Sequence, residues 1–414
     1  MRVSLALLLL LSACASPQAS DSPARGTVKS VEQLSTFSRQ SIDAKNKFVA
    51  LSGAAQCDVQ VIQVTYDSIG VRSEPVTLSA AIYVPQGCAG PFPLLAQAHG
   101  TQSDRKRSSA EVDAGNTAIT FFAAQGYLVV TPDYLGLGKS DYPFHPYLHA
   151  DSEASAIIDA IRAARAAARD LAIPADDRVM LFGYSQGGHA AMAAQREIER
   201  NHAGEIKLIA SAPMAGPYYL SQTFLGSWFG YTAGEPNSLA SELFAYTLLS
   251  YNQVYGLYSD PGEVFAAAYG KPVEQLFSGA LTITEIDRQQ ALPAGGKLNE
   301  LRNPAFSAAF LLDENQPFRR ALRQNDLLDW RPAAPTILCG SSRDTVVDLQ
   351  NAYAAQTAFR ARGADVAVID VADSIPPEVD GTGHHRYSMA CYSAVRRQLF
   401  DPIRRGEIRT TRAR

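Results

Sequence analysis

The run Gly183-Tyr184-Ser185-Gln186-Gly187-Gly188 restricts the fold of this chain more than any other feature. Just before it, Arg178 to Phe182 (RVMLF) is a short, unbroken apolar stretch of the kind that forms a strand buried on both faces. Just after it, a helix opens at Gly187, and His189 to Arg200 continues it with Ala-rich helical periodicity. A strand that passes into a helix through one serine must turn sharply. Glycines two residues to either side let the neighbouring backbones approach without a Cβ clash. Such an elbow presents the serine hydroxyl beside a helix N-terminus, whose partial positive charge favours a developing anion. Ser185 is therefore the candidate nucleophile, and the backbone N–H of Gln186 is a candidate oxyanion donor.

Strands alternating with helices surround this elbow, the signature of a mostly parallel, doubly wound α/β sheet. Val59 to Tyr66 and Leu78 to Val84 read as two strands joined around Gly70 to Ser73. Pro93 to Ala98, Tyr127 to Pro132, Lys207 to Ala212, Pro335 to Cys339 and Val366 to Val371 read as further strands. Helices are expected near Ala114 to Gln125, over Ser152 to Leu171 and from about Arg386. The rhythm stops between Pro213 and Pro335, where Tyr, Phe and Leu dominate and helical stretches fall near Ser238 to Tyr251 and Gly262 to Tyr269. The strand series resumes afterwards, so 27–213 and 335–405 read as one core and 214–334 as a helical lid inserted above it.

A serine nucleophile needs a base and an acid that orients it, and after such an elbow these follow in the order Asp or Glu, then His. Of the seven histidines only His384 and His385 lie beyond the later strands. One of them is the expected base; His385 is favoured, with His384 the alternative. Asp344, in the turn after Pro335 to Cys339, is the expected acid, ahead of Asp348. His99-Gly100-Thr101 follows another strand where a second oxyanion donor belongs, and the backbone of Thr101 is assigned to it. Gly138-Lys139-Ser140 ends like a phosphate loop, but Asp133 stands where the first glycine is required. No cofactor is needed for this chemistry, and no cysteine pair has zinc spacing.

Arg2, an apolar run from Val3 to Leu11 and then small residues read as an export signal. The run is too short to span a bilayer, which takes roughly 20 residues. Leu11-Ser12-Ala13-Cys14 resembles a lipobox closing a 1–14 signal segment; Cys14 would be acylated and become the new first residue of an outer-membrane or cell-surface lipoprotein. Ala13-Cys14-Ala15 also fits ordinary cleavage after Ala15, which would release a secreted protein. Either route leads to an oxidising space, where Cys57, Cys88, Cys339 and Cys391 form an even set. A hairpin register with 72 and 73 at its tip sets Cys57 opposite Cys88, leaving Cys339 to pair with Cys391 or both to stay as buried thiols. With a net charge of -4 and signs interspersed, the chain offers no field for nucleic acid. The one strongly basic stretch, Arg404 to Arg414, is terminal.

Ala98-His99-Gly100-Thr101, Val130-Thr131-Pro132-Asp133-Tyr134-Leu135-Gly136-Leu137-Gly138, the Ser155 to Arg165 helix, Gly183 to Ala190 and the Asp344 turn together resemble blocks of the bacterial and fungal secretory lipases. That family belongs to the α/β-hydrolase superfamily and includes esterases exported by plant-associated bacteria. The resemblance runs from 57 to 400 and implies an α/β-hydrolase fold, a helical lid between the sixth and seventh strands, and hydrolysis of acyl esters, lipid or cell-wall-linked. The aromatic cluster Tyr218, Tyr219, Phe224, Trp228, Phe229 and Tyr231 then suggests an apolar acyl tunnel, with a sugar platform as its competitor. A peptidase or acyltransferase with the same triad, and a non-catalytic ligand-binding lipoprotein, are the alternatives.

Overall fold

A computed structural model describes residues 24–375 and 383–408. Cys14, Gly381, Thr382 and the end of the basic stretch, 409–414, lie outside the described residues. Among the described residues, nine strands form the main sheet: β1 (Val28–Phe37), β2 (Asp58–Ile69), β3 (Pro75–Gln86), β4 (Phe92–Ala98), β5 (Leu128–Pro132), β6 (Ala175–Tyr184), β7 (Lys207–Met214), β8 (Ile337–Gly340) and β9 (Ala367–Asp370). Their spatial order is β1-β2-β3-β5-β4-β6-β7-β8-β9. The pairings from β1 through β3 to β5 are antiparallel, and those from β5 to β9 are parallel. β4 is buried along its whole length, which suits its continuous apolar sequence at the sheet centre.

Helices α1 (Ala150–Asp170), α2 (Gln186–Glu197) and α4 (Gln350–Arg360) cover one face, and α5 (His384–Val395) with Thr117–Phe121 covers the other. α1 lays Ile157, Ile158, Ile161 and a row of alanines against the sheet, a stripe narrow enough for close helix packing. Between β7 and β8 a set of shorter helices surrounds α3 (Ala240–Tyr255) and has its own apolar cluster, built on Trp228, Phe244, Phe310 and Phe318.

Several sequence expectations are corrected. β1 was not anticipated; it is an exposed edge strand whose side chains show no apolar alternation. The Thr117 helix is one α-turn capped by the Asn116 side chain, followed by a 3-10 turn, where a longer helix was expected. Gly262 to Tyr269 is not a helix. Pro261–Glu263 forms a capped 3-10 turn, the chain then extends so that Phe265 bridges to Arg302, and Gly270–Leu276 is the helix. In the β2–β3 hairpin Asp58 pairs with Gln86 and Ile69 with Pro75, so residue 72 alone marks the tip and the register is one residue off the expected one. Cys57 and Cys88 nonetheless bridge, just beyond the paired segment, with Cα atoms 5.4 Å apart. Cys339 and Cys391 are bridged as well, tying the end of β8 to α5.

Candidate active site

The elbow has the backbone its sequence demands. Ser185 sits at φ 64°, ψ -125°, a left-handed conformation that costs a non-glycine residue of order 1–3 kcal/mol and is held by its surroundings. A Cβ on Gly183 would stand 2.1 Å from the Gly187 carbonyl oxygen, and one on Gly187 would stand 2.0 Å from that of Ala98. These contacts are backbone on both sides, so only glycine fits. The Ser185 N–H donates to the Met214 carbonyl at 3.0 Å, and its carbonyl accepts from Gly188 N–H at 2.8 Å, which anchors the turn between β7 and α2.

Asp344 lies in the turn after β8 and is fully buried. Its Oδ1 accepts from the N–H groups of Val346 and Val347, at 2.9 and 3.1 Å. Its Oδ2 accepts from His384 Nδ1 at 2.6 Å. The structure thus brings His384 to the acid and leaves His385 exposed, correcting the preference for His385. α5 begins at His384, two residues earlier than expected, and neighbours on a helix point about 100° apart, so only one of the two can face Asp344. His384 Nε2 is buried and has no hydrogen-bond partner among the described residues.

Tyr184, the residue before Ser185, joins the two halves. Its hydroxyl donates to the His384 carbonyl at 2.8 Å, and its ring lies 4.7 Å from the imidazole. Burial pushes this hydroxyl well above its ordinary pKa, so it stays a donor.

Ser185, Gln186, Val346 and Val347 line one largely enclosed cavity of about 60 Å³, walled by Leu220, Phe224, Trp228, Leu243 and Phe244. Of the expected aromatic cluster only Phe224 and Trp228 line it. Phe229 and Tyr231 are exposed, and Tyr218 packs into the sheet core. The Thr101 loop lies alongside: a Cβ on Gly100 would be 3.9 Å from Ser185 Cβ, and Thr101 Oγ1 is 2.9 Å from the hydroxyl of Tyr147, another cavity residue. Gln186 is the first residue of α2, so its N–H has no acceptor within the helix. His99 orders this loop, with Nδ1 2.7 Å from the Gly100 carbonyl, and burial lowers its pKa.

Sequence reasoning passed over Asp133, whose buried carboxylate accepts from Ser79 Oγ and Ser109 N–H, both at 2.6 Å, and so holds the β5 loop. Among the described residues no group of three or more His, Cys, Asp or Glu could hold a metal ion, and no helix is long and apolar enough to cross a membrane.

A central sheet that turns parallel after its antiparallel edge, with a serine elbow at the end of β6 beside the central strand, defines an α/β-hydrolase. The sequence profile of the secretory lipase family matches residues 101–221. The chain aligns with the crystal structure of LipA, the rice cell wall degrading esterase of Xanthomonas oryzae, at 42% identity over 92% of this chain and 99% of that one, with a TM-score of 0.86. A putative hydrolase of Legionella pneumophila aligns at 24% identity over 90% and 99% of the two chains, TM-score 0.76. Candida antarctica lipase A in its closed state aligns at 18% over 83% and 76%, TM-score 0.62. The last two speak to the fold alone. No curated protein matches the sequence. The chain belongs to the secretory lipase family, and it is an ester hydrolase of the lipase and esterase kind.

Proposed function

We propose that the protein is an exported serine hydrolase of short-acyl esters, acting through Ser185, His384 and Asp344 by way of an acyl-enzyme. The observation that carries this reading is the histidine. Its Nδ1–H donates to a buried carboxylate, while Nε2 is buried and has no partner among the described residues, the arrangement of a base waiting for a hydroxyl proton. His384 Nε2 takes the proton of Ser185 Oγ as the oxygen attacks the ester carbonyl, and Asp344 stabilises the imidazolium. The N–H groups of Gln186 and Thr101 hold the oxyanion. Collapse expels the alcohol, protonated by His384; water, activated by the same nitrogen, then releases the acid and restores Ser185.

The cavity beside Ser185 sets the acyl length. The cavity is small, about 60 Å³, and lined by apolar side chains of the inserted helices, which supports a short acyl chain with the alcohol side facing out. The likeness to LipA, named for degrading rice cell wall, supports a polymer-linked ester as the physiological substrate. Export directed by the 1–14 segment, with Cys14 acylated as the new first residue or the chain released after Ala15, completes the proposal. The test is hydrolysis of p-nitrophenyl esters from acetate to palmitate, with a fluorophosphonate used to locate the nucleophile by peptide mass. Butyrate-length esters should be preferred and Ser185 labelled; a preference for palmitate, or labelling elsewhere, overturns it.

A further inference from the structure

Behind the elbow lies a buried polar cluster that the hydrolytic scheme does not use. Glu153, in the first turn of α1, is 1% exposed. Its Oε1 accepts from the side-chain Nε2 of Gln186 at 2.9 Å, and its Oε2 is 2.7 Å from His189 Nδ1. His189 Nε2 is 3.0 Å from the Asn325 carbonyl oxygen. Gln186 Nε2 is also 2.8 Å from His145 Nε2, and His145 Nδ1 is 2.9 Å from the Leu135 carbonyl oxygen.

The acceptors fix the protons. A carbonyl can only accept, so His145 carries its hydrogen on Nδ1 and offers a lone pair at Nε2; burial pushes its pKa down to about 4, which keeps it neutral. Gln186 then donates one amide hydrogen to His145 and the other to Glu153. The Asn325 carbonyl likewise requires hydrogen on His189 Nε2, so a single proton is shared between His189 Nδ1 and Glu153, and that pair is neutral overall. The neutrality has a use: an unpaired carboxylate this close to the elbow would oppose the oxyanion.

We propose that Glu153, with His189, is a positioning residue that clamps the Gln186 side chain and thereby aims the Gln186 backbone N–H at the oxyanion. The proposal rests on Ser185 being the nucleophile. Gln186 follows a strained residue and its N–H has no helical partner, so the side chain is where this peptide can be held. The same clamp reaches the inserted helices. The His145 carbonyl accepts from Ser250 Oγ on α3 at 3.0 Å, and Asn325 Nδ2 donates to the Tyr255 hydroxyl at 2.9 Å. The chemistry at the elbow is thereby tied to the segment that walls the acyl cavity.

The test compares Glu153→Leu, Glu153→Gln and Gln186→Met on p-nitrophenyl butyrate, with active sites counted by fluorophosphonate titration and transition-state affinity read with a trifluoromethyl ketone. For Glu153→Leu, kcat per titrated site should fall about tenfold to hundredfold with KM within about twofold, and the ketone should weaken by the same factor. Glu153→Gln keeps an acceptor for Gln186 and can donate to a neutral His189, so it should stay within about threefold of wild type. Gln186→Met keeps the backbone N–H and loses the clamp; it should follow Glu153→Leu, and it carries the test if the leucine variant does not fold. Wild-type kcat per site and ketone affinity in Gln186→Met, or an equal loss in Glu153→Gln and Glu153→Leu, would overturn the clamp. A wild type that the fluorophosphonate does not label at Ser185 overturns the serine-hydrolase reading instead.

Discussion

Asp344→Asn exchanges a single oxygen for an NH2 group and should nearly abolish turnover, for a reason written in the hydrogen bonds. Oδ1 accepts from two backbone N–H groups, those of Val346 and Val347, so an asparagine must keep its carbonyl oxygen there. Its NH2 group then faces His384 Nδ1 across the present 2.6 Å contact. A donor facing that nitrogen forces the proton onto Nε2, and the imidazole can no longer accept from Ser185. The loss expected from this wrong tautomer is about 10³–10⁴ in kcat, roughly 4–5 kcal/mol of transition-state stabilisation. Folding should be little affected, since both backbone bonds survive. The assay is kcat on p-nitrophenyl butyrate per titrated active site, with the melting temperature as a control. Asp348→Asn, whose carboxylate caps Gln350 N–H at 2.9 Å, serves as the neighbour that should not matter. A folded Asp344→Asn that keeps more than about a tenth of wild-type kcat refutes the tautomer argument.

Other consequences reach beyond the acid. Gly187→Ala would drive a methyl to 2.0 Å from the Ala98 carbonyl, with backbone on both sides, and should lose about 3 kcal/mol or more by urea titration together with most activity. Glu242, buried at the start of α3, has its pKa raised to about 7, first by burial and then by Asp287. Between about pH 4.5 and 7 the folded protein keeps a proton that the unfolded chain has released, so stability falls as pH rises through that window and stays lower above it. Glu242→Gln should therefore be more stable than wild type by up to ~3 kcal/mol near pH 8 and indistinguishable near pH 4, as read by thermal melts across pH. Replacing Cys339 and Cys391 together by alanine opens a 52-residue loop that joins the strand before Asp344 to the helix of His384, and should cost about 4 kcal/mol in denaturant unfolding.

The elbow was legible because its constraints are local: Gly183, Ser185 and Gly187 are close in the chain, and the contacts that exclude a Cβ follow from a strand meeting a helix. The place of Asp344 was legible for a similar reason, since it stands one short turn beyond a recognisable strand. Which of His384 and His385 meets Asp344 was not, because it turns on which residue opens α5, and helix starts are uncertain by a residue or two. Glu153 was invisible for another reason. An acidic residue in a first helical turn is ordinary, and its partners Gln186 and His189 reach it only in three dimensions. β1 escaped because an exposed edge strand carries no buried face to imprint its period, and Gly262 to Tyr269 misled because apolar residues there pack without helical geometry. In the aromatic run after β7, composition marked an apolar region but not which rings would face the cavity.

The central claim is that His384 Nε2 serves Ser185 while His385 is dispensable. Its most direct test is the rate of p-nitrophenyl butyrate hydrolysis by wild type, Ser185→Ala, His384→Ala and His385→Ala, each confirmed folded. Activity should vanish in the serine and His384 variants, down by about 10⁴ or more, and persist within a few-fold in His385→Ala. An active His384→Ala, or an inactive but folded His385→Ala, would contradict the account.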